Sequence, residues 1–80
     1  MKEKFKDYYK IIGANIRKVR IEKGYSQQDL ANRCSVDRAK ISRIENATED
    51  FMFKTFLEIV EALEITPTEL LKDLSDTEVQ

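Results

Sequence analysis

The stretch "QQDLANRCSVDRAKISRIEN", Gln27 to Asn46, holds two helical segments with almost nothing between them. Ser26 stands before the first as an N-cap, and Asp29, three residues on, favours its first turn electrostatically. That segment is expected over residues 27–34, with Leu30, Ala31 and Cys34 on its inner side. Asp37 is the N-cap candidate of the second, expected over residues 38–46. Only Ser35 and Val36 are left to turn the chain, so Val36 is expected to plug the core at the corner. Two short helices joined this tightly can pack in few ways, and the rest of the chain must supply the apolar surface they cover.

The flanking segments do so. From Phe5 to Lys23 the residues Phe5, Tyr9, Ile12, Ile16 and Val19 step by three or four, a helical period, with Tyr8, Ile11 and Ile21 beside the stripe. Gly13 inside this run costs roughly 1 kcal/mol against Ala, which points to a packing reason. Lys23 and Gly24 stop the helix, a basic last turn followed by a residue that tolerates the left-handed conformation. "ATED" reads as a loop. A fourth helix is expected from Phe53 to Glu64, with Phe53, Phe56, Leu57, Val60 and Leu63 facing inward. Thr66-Pro67-Thr68-Glu69 carries an N-cap Thr, Pro at the first helical position and Glu placed for a capping box. The fifth helix then carries Leu70, Leu71 and Leu74, and the polar tail of residues 75–80 is expected to fray. The fold class is all-α, one domain over residues 1–80.

Eighty residues can bury only a modest core. The single cysteine, Cys34, cannot form an internal disulfide. Without His, a metal would need Cys34 and carboxylates alone, and no spacing suggests such a site. No nucleophile elbow, P-loop or Gly-rich phosphate cradle is present. An enzyme is not expected, nor any metal or cofactor. No apolar run approaches the roughly 20 residues that span a bilayer, and "MKEKFKDYYK" lacks the apolar centre of a signal peptide. The expected setting is cytoplasmic, away from membranes.

The 14 Lys+Arg and 15 Asp+Glu nearly cancel, but they are segregated. Residues 1–46 carry 12 basic and 6 acidic side chains, a net of +6, and residues 47–80 carry 2 and 9, a net of −7. The basic half could bind a polyanion; equally, the two halves could attract each other.

Turning the helix of residues 38–46 by about 100° per residue puts Ile41 and Ile44 on one side, with Glu45 at its edge. Arg38, Ala39, Ser42, Arg43 and Asn46 fall together on the other. Small residues between long basic ones let a helix sit deep in a groove about 12 Å wide, where Arg can reach guanine O6 and N7 in a fork. Any amphipathic helix has a polar outside. The context adds weight here: a capped preceding helix, a tight turn, and Gln27 and Gln28 at a helix start suited to phosphate.

"GANIRKVRIEKGYSQQDLANRCSVDRAKISRIEN", Gly13 to Asn46, resembles the phage-repressor (Cro/XRE-type) helix-turn-helix family, and so does "FLEIVEALEITPTELL", Phe56 to Leu71. The likeness covers residues 8–74. It implies a compact, lambda-repressor-like five-helix bundle with the third helix in the major groove. By position it implies that Arg38, Ala39, Ser42 and Arg43 face bases. Ser26, Gln27, Gln28, Lys40 and Asn46 would serve the phosphate backbone, with Arg17 and Lys18 weaker candidates. It also implies a structural ion pair between Arg20 and Glu45; Glu45 borders the inner face and needs a cation.

The chain departs from the family pattern twice. Ser35 stands where the family usually has Gly; either it is strained in a left-handed conformation, or the turn is shaped differently. The loop "ATEDFMF" brings Glu49 and Asp50 where phosphate is expected, so it either turns away or weakens binding. Two functional readings follow. The first is a sequence-specific regulator that binds double-stranded DNA, most plainly a dimeric repressor on two half-sites. The alternative is an antitoxin-like or adaptor module whose acidic half binds a protein partner. Ile59, Phe51 and Met52 cannot all share one inner stripe and offer material for a homodimer surface, as do Leu74 and Val79. Phe51 and Met52 could instead pack over the loop and the first helix.

Overall fold

A computed structural model describes residues 2–74 of the chain. A short 3-10 turn, Glu3–Phe5, leads into α1, Lys6–Glu22, followed by α2, Gln27–Asn32, α3, Arg38–Glu45, α4, Phe53–Leu63, and α5, Pro67–Leu70. No strand occurs among the described residues. Ile16, Leu30, Ile41, Ile44, Ile59, Leu63 and Leu70 are the largest fully buried side chains, so every α-helix contributes to one core. Val36 fills the corner between α2 and α3.

The starts of α2, α3 and α5 have local causes. Ser26 and Asp29 form a reciprocal capping box: the Ser26 hydroxyl accepts from the Asp29 N–H at 2.9 Å, and the Ser26 N–H donates to the Asp29 carboxylate at 2.8 Å. That backbone bond, with the side-chain bond second, holds the Asp29 carboxyl below the ordinary carboxylate range. Asp37 caps α3 by accepting from the Lys40 N–H at 2.8 Å. Thr66 makes no such bond; its hydroxyl meets that of Thr68, so the capping box expected there does not form. Pro67 still starts α5 with its φ pre-set.

Three helices end in one pattern. After α1, the Gly24 N–H donates to Ile21 O and the Tyr25 N–H to Arg20 O. After α3, the Ala47 N–H donates to Ile44 O and the Thr48 N–H to Arg43 O. After α4, the Glu64 N–H donates to Glu61 O and the Ile65 N–H to Val60 O. These are Schellman closures, each with its turning residue in the left-handed region: Gly24 at φ 79°, Ala47 at 56° and Glu64 at 58°. Only the first uses glycine. Ser35 is not left-handed, and its hydroxyl bonds the Glu58 carboxylate instead. The turn between α2 and α3 is thus built without the glycine conformation.

Gly13 has the packing reason its position called for. A Cβ there would lie 2.4 Å from the Ile44 carbonyl oxygen and 2.7 Å from that of Glu45. Helix α1 therefore touches the end of α3 backbone to backbone. Asn15, half a turn on, donates to the carbonyls of Leu70 and Lys72, both at 3.0 Å, and ties α1 to the end of α5.

Several expectations need correction. Helix α2 stops at Asn32 and α3 at Glu45, each earlier than expected. On α4, Phe53 is 70 % exposed and Leu57 41 %, whereas Ile59, read as a surface candidate, is fully buried. The buried stripe is Phe56, Ile59, Val60 and Leu63. Phe51 packs edge-on against Tyr9 of α1, with ring centroids 5.3 Å apart, but Met52 stays 70 % exposed. Helix α5 closes at Leu70, leaving Leu71 exposed. The tail of residues 75–80, with Val79, lies outside the described residues.

Candidate nucleic-acid interface

Ile41 and Ile44 sink the inner side of α3 into the core, which fixes what its other side presents. Arg38, Ala39 and Arg43 are exposed there and Ser42 is half-buried. Lys40 is half-buried beside them, and Asn46 is exposed at the helix end. Four long or polar side chains thus flank a low floor made by Ala39 and Ser42. Such a profile lets a helix approach base edges closely.

The helix is locked from below by an ion pair. Arg20 of α1 donates through Nε to Glu45 at 2.7 Å and through Nη2 to its other oxygen at 3.1 Å. Its Nη1 donates to the Tyr25 carbonyl at 2.7 Å. Gln27 adds a fourth bond, its Nε2 donating to Glu45 at 3.1 Å. Arg20 and Glu45 are each 8 % exposed, so both charges are desolvated, but both carboxylate oxygens accept hydrogen bonds. A planar, two-pronged pair suits this role better than Lys would.

The residues at the start of α2 are partly engaged. The Ser26 hydroxyl belongs to the capping box and the Gln27 amide to Glu45. Gln28 donates to Asn32 at 2.9 Å on the exposed side. Arg17 is exposed on α1. Gln27 therefore touches α3 directly, which its place in the sequence does not disclose.

The feature that the sequence reading missed is the position of Glu49. The loop does not turn away from α3. Ala47 reverses the chain, Thr48 ties it to the Arg43 carbonyl by its N–H and hydroxyl, and Glu49 then falls over the outer face of α3. Its two oxygens accept from Lys40 Nζ and Arg43 Nε. These bonds, Lys40 first and Arg43 second, hold its carboxyl below the ordinary carboxylate range. The available signal was an acid a few residues past the helix, but its direction depended on the unforeseen left-handed turn at Ala47.

The family model described as a helix-turn-helix domain matches residues 13–73. The chain belongs to that family. Its α2–turn–α3 unit is the motif, and the fold is the phage-repressor type expected from the sequence. The restriction-modification controller protein C.AhdI from Aeromonas hydrophila is 29 % identical, with a TM-score of 0.79 over 82 % of this chain and 96 % of that one. The controller protein C.Esp1396I, solved as a tetramer in complex with its natural 35 base-pair operator, is 30 % identical, with a TM-score of 0.76 over 88 % and 92 %. A hypothetical transcription factor of Neisseria meningitidis is 29 % identical over 65 residues, 81 % of this chain. The chain spans about three fifths of that relative's length, 61 %. No helix among the described residues is long and apolar enough to cross a membrane.

Proposed function

We propose that this chain is a sequence-specific regulator that binds double-stranded DNA as a homodimer and represses transcription, with α3 lying in the major groove. The observation that carries the reading is the outer face of α3: Arg38, Ala39, Ser42 and Arg43 together, opposite a side anchored by Ile41, Ile44 and the Arg20–Glu45 pair. In this reading those four residues read base edges. Ser26, Gln27, Gln28, Lys40, Asn46 and Arg17 serve phosphates, Gln27 while also bracing Glu45. The operator complex of C.Esp1396I supports the DNA reading and its assembly into oligomers. Met52 and Phe53, adjacent and each 70 % exposed, supply apolar surface for a second copy.

The test is fluorescence anisotropy with DNA from the protein's own upstream region and with a scrambled duplex, across a salt series. Preference for the former by about 10³ or more, with a steep salt slope, is the expected result. Equal, weak binding to both, together with no sequence enriched from a random duplex pool, refutes it. That outcome would favour the protein-interaction module, to which the carboxylate of Glu49 on the α3 face also lends itself.

A further inference from the structure

We propose that Glu49 is a positioning residue for base recognition: it holds Arg43 by its inner edge and leaves the outer edge free to read a guanine. The inference rests on the DNA reading above and deepens it. Arginine has two binding edges. The side edge offers Nε and one terminal nitrogen; the end offers both terminal nitrogens as a fork that matches guanine O6 and N7. Arg43 spends Nε on Glu49, and its terminal nitrogens make no hydrogen bond among the described residues. The fork is therefore the part left over, and its axis is set by the carboxylate behind it.

The carboxylate is itself held. Ala47 in the left-handed region and the two bonds from Thr48 to the Arg43 carbonyl fix the loop to the same helical turn that bears Arg43. Lys40 occupies the second oxygen. Glu49 is thus attached to α3 from three sides rather than drawn casually from solvent. A free Arg would lose rotamer entropy on meeting a base; one already held by Nε loses less, and only in the orientation that Glu49 permits. The same negative charge opposes phosphate and occupies Lys40. Glu49 therefore lowers affinity for all DNA while raising discrimination between sequences.

The two effects have opposite signs, which makes the idea testable with the full-length chain. A selection from a random duplex pool yields the preferred site of the wild type. Affinity for that site and for a scrambled duplex is then measured for wild type, Glu49→Ala, Glu49→Gln and Arg43→Ala, and for Glu49→Ala in the Arg43→Ala background. The expected result for Glu49→Ala is tighter binding to scrambled DNA, with a steeper salt slope as Lys40 becomes available to a phosphate. The ratio of specific to scrambled binding falls on the order of tenfold, part of what a bidentate Arg–guanine contact confers. Without Arg43, removing Glu49 changes the ratio no further. A merely structural role would lower both affinities together, with unfolding at lower temperature. A selective wild type whose Glu49 variants are equally selective, or whose ratio falls just as much without Arg43, overturns this inference alone. A wild type that selects no sequence overturns the DNA reading, and this inference with it.

Discussion

The contact of Gly13 with α3 yields a prediction in which two effects oppose each other. Replacing Gly13 by Ala improves helix propensity by about 1 kcal/mol. Against that, the new methyl would stand 2.4 Å from the Ile44 oxygen and 2.7 Å from that of Glu45. An ordinary carbon–oxygen contact is about 3.3 Å. The helices must part by about 0.9 Å here, the difference between that distance and the 2.4 Å available. Neither obstacle is the loose end of a side chain. The Ile44 carbonyl accepts the Ala47 N–H in the Schellman closure, and Ile44 and Ile41 lie fully buried beneath. Overpacking of this kind costs about 1–3 kcal/mol, and the rigid obstacles place it near the upper end. The net expectation is a loss of about 2 kcal/mol, which for a domain of this size lowers Tm by about 8–16 °C. Thermal and urea unfolding followed by far-ultraviolet circular dichroism measure both quantities. A Tm equal to or above wild type would show that α1 and α3 separate freely, and would refute the close-packing argument. Gly24 is the contrasting control: nothing lies within 4 Å of its Cβ position, so Gly24→Ala is penalised only by its φ of 79°, at about 1–2 kcal/mol.

Four further outcomes are expected. Glu45→Ala leaves the Arg20 guanidinium buried without its carboxylate and should cost about 3–5 kcal/mol in urea unfolding; the double change Arg20→Met with Glu45→Leu should cost less than either single loss, and a larger cost would contradict that asymmetry. Glu64→Gly relieves a left-handed residue on an exposed surface and should raise stability by about 0.5–1 kcal/mol, readable as a Tm increase. Arg43→Ala should weaken binding to a selected site by about 1–3 kcal/mol and relax its preference while Tm stays near wild type; an unchanged preference removes Arg43 from the readout. Asp29 and Glu49 both have carboxyl groups held below the ordinary range in the folded chain. Each therefore contributes stability that is present above its unfolded value and is lost as pH falls through the lower folded value. Tm measured from pH 7 to pH 3 should fall, and Asp29→Asn with Glu49→Gln should flatten the fall.

What could be read from the sequence was whatever residue chemistry alone decides. Ser26 and Asp37 announce their helices because an N-cap needs a short side-chain acceptor, and both accept the expected bonds. Gly24 announces a stop because glycine is the cheap left-handed residue. Ala47 and Glu64 make the same turn with no such signature, so the path of the loop after α3 was hidden. The face of α4 was hidden for another reason: seven of its eleven residues are apolar, more than one stripe holds, and periodicity cannot choose between Phe53–Leu57 and Phe56–Ile59. Burial chose the second because α4 packs on α2 and α5 through it. The outer face of α3 was legible from two isoleucines. The Gln27–Glu45 contact was not, since it joins residues 18 apart on different helices.

The two carboxylates beyond the middle of α3 show why similar pairings can mean different things. Glu45 and Glu49 stand on either side of the Ala47 turn, and each engages an arginine through Nε. Burial separates them. The side chains of Arg20 and Glu45 are 9 % and 1 % exposed, whereas those of Arg43 and Glu49 are 47 % and 29 %. An inward pair of that kind is costly to break, because each charge depends on the other for its solvation. An outward pair contributes little to stability and fades with salt. Stability therefore explains Glu45 and leaves Glu49 with little to do in the fold. On the proposed DNA reading, an acid lying over the outer face of α3 works against binding unless it improves something else. Its geometry leaves the arginine fork as the thing it improves. Glu45 fixes where α3 sits, and Glu49 fixes how one side chain of α3 points.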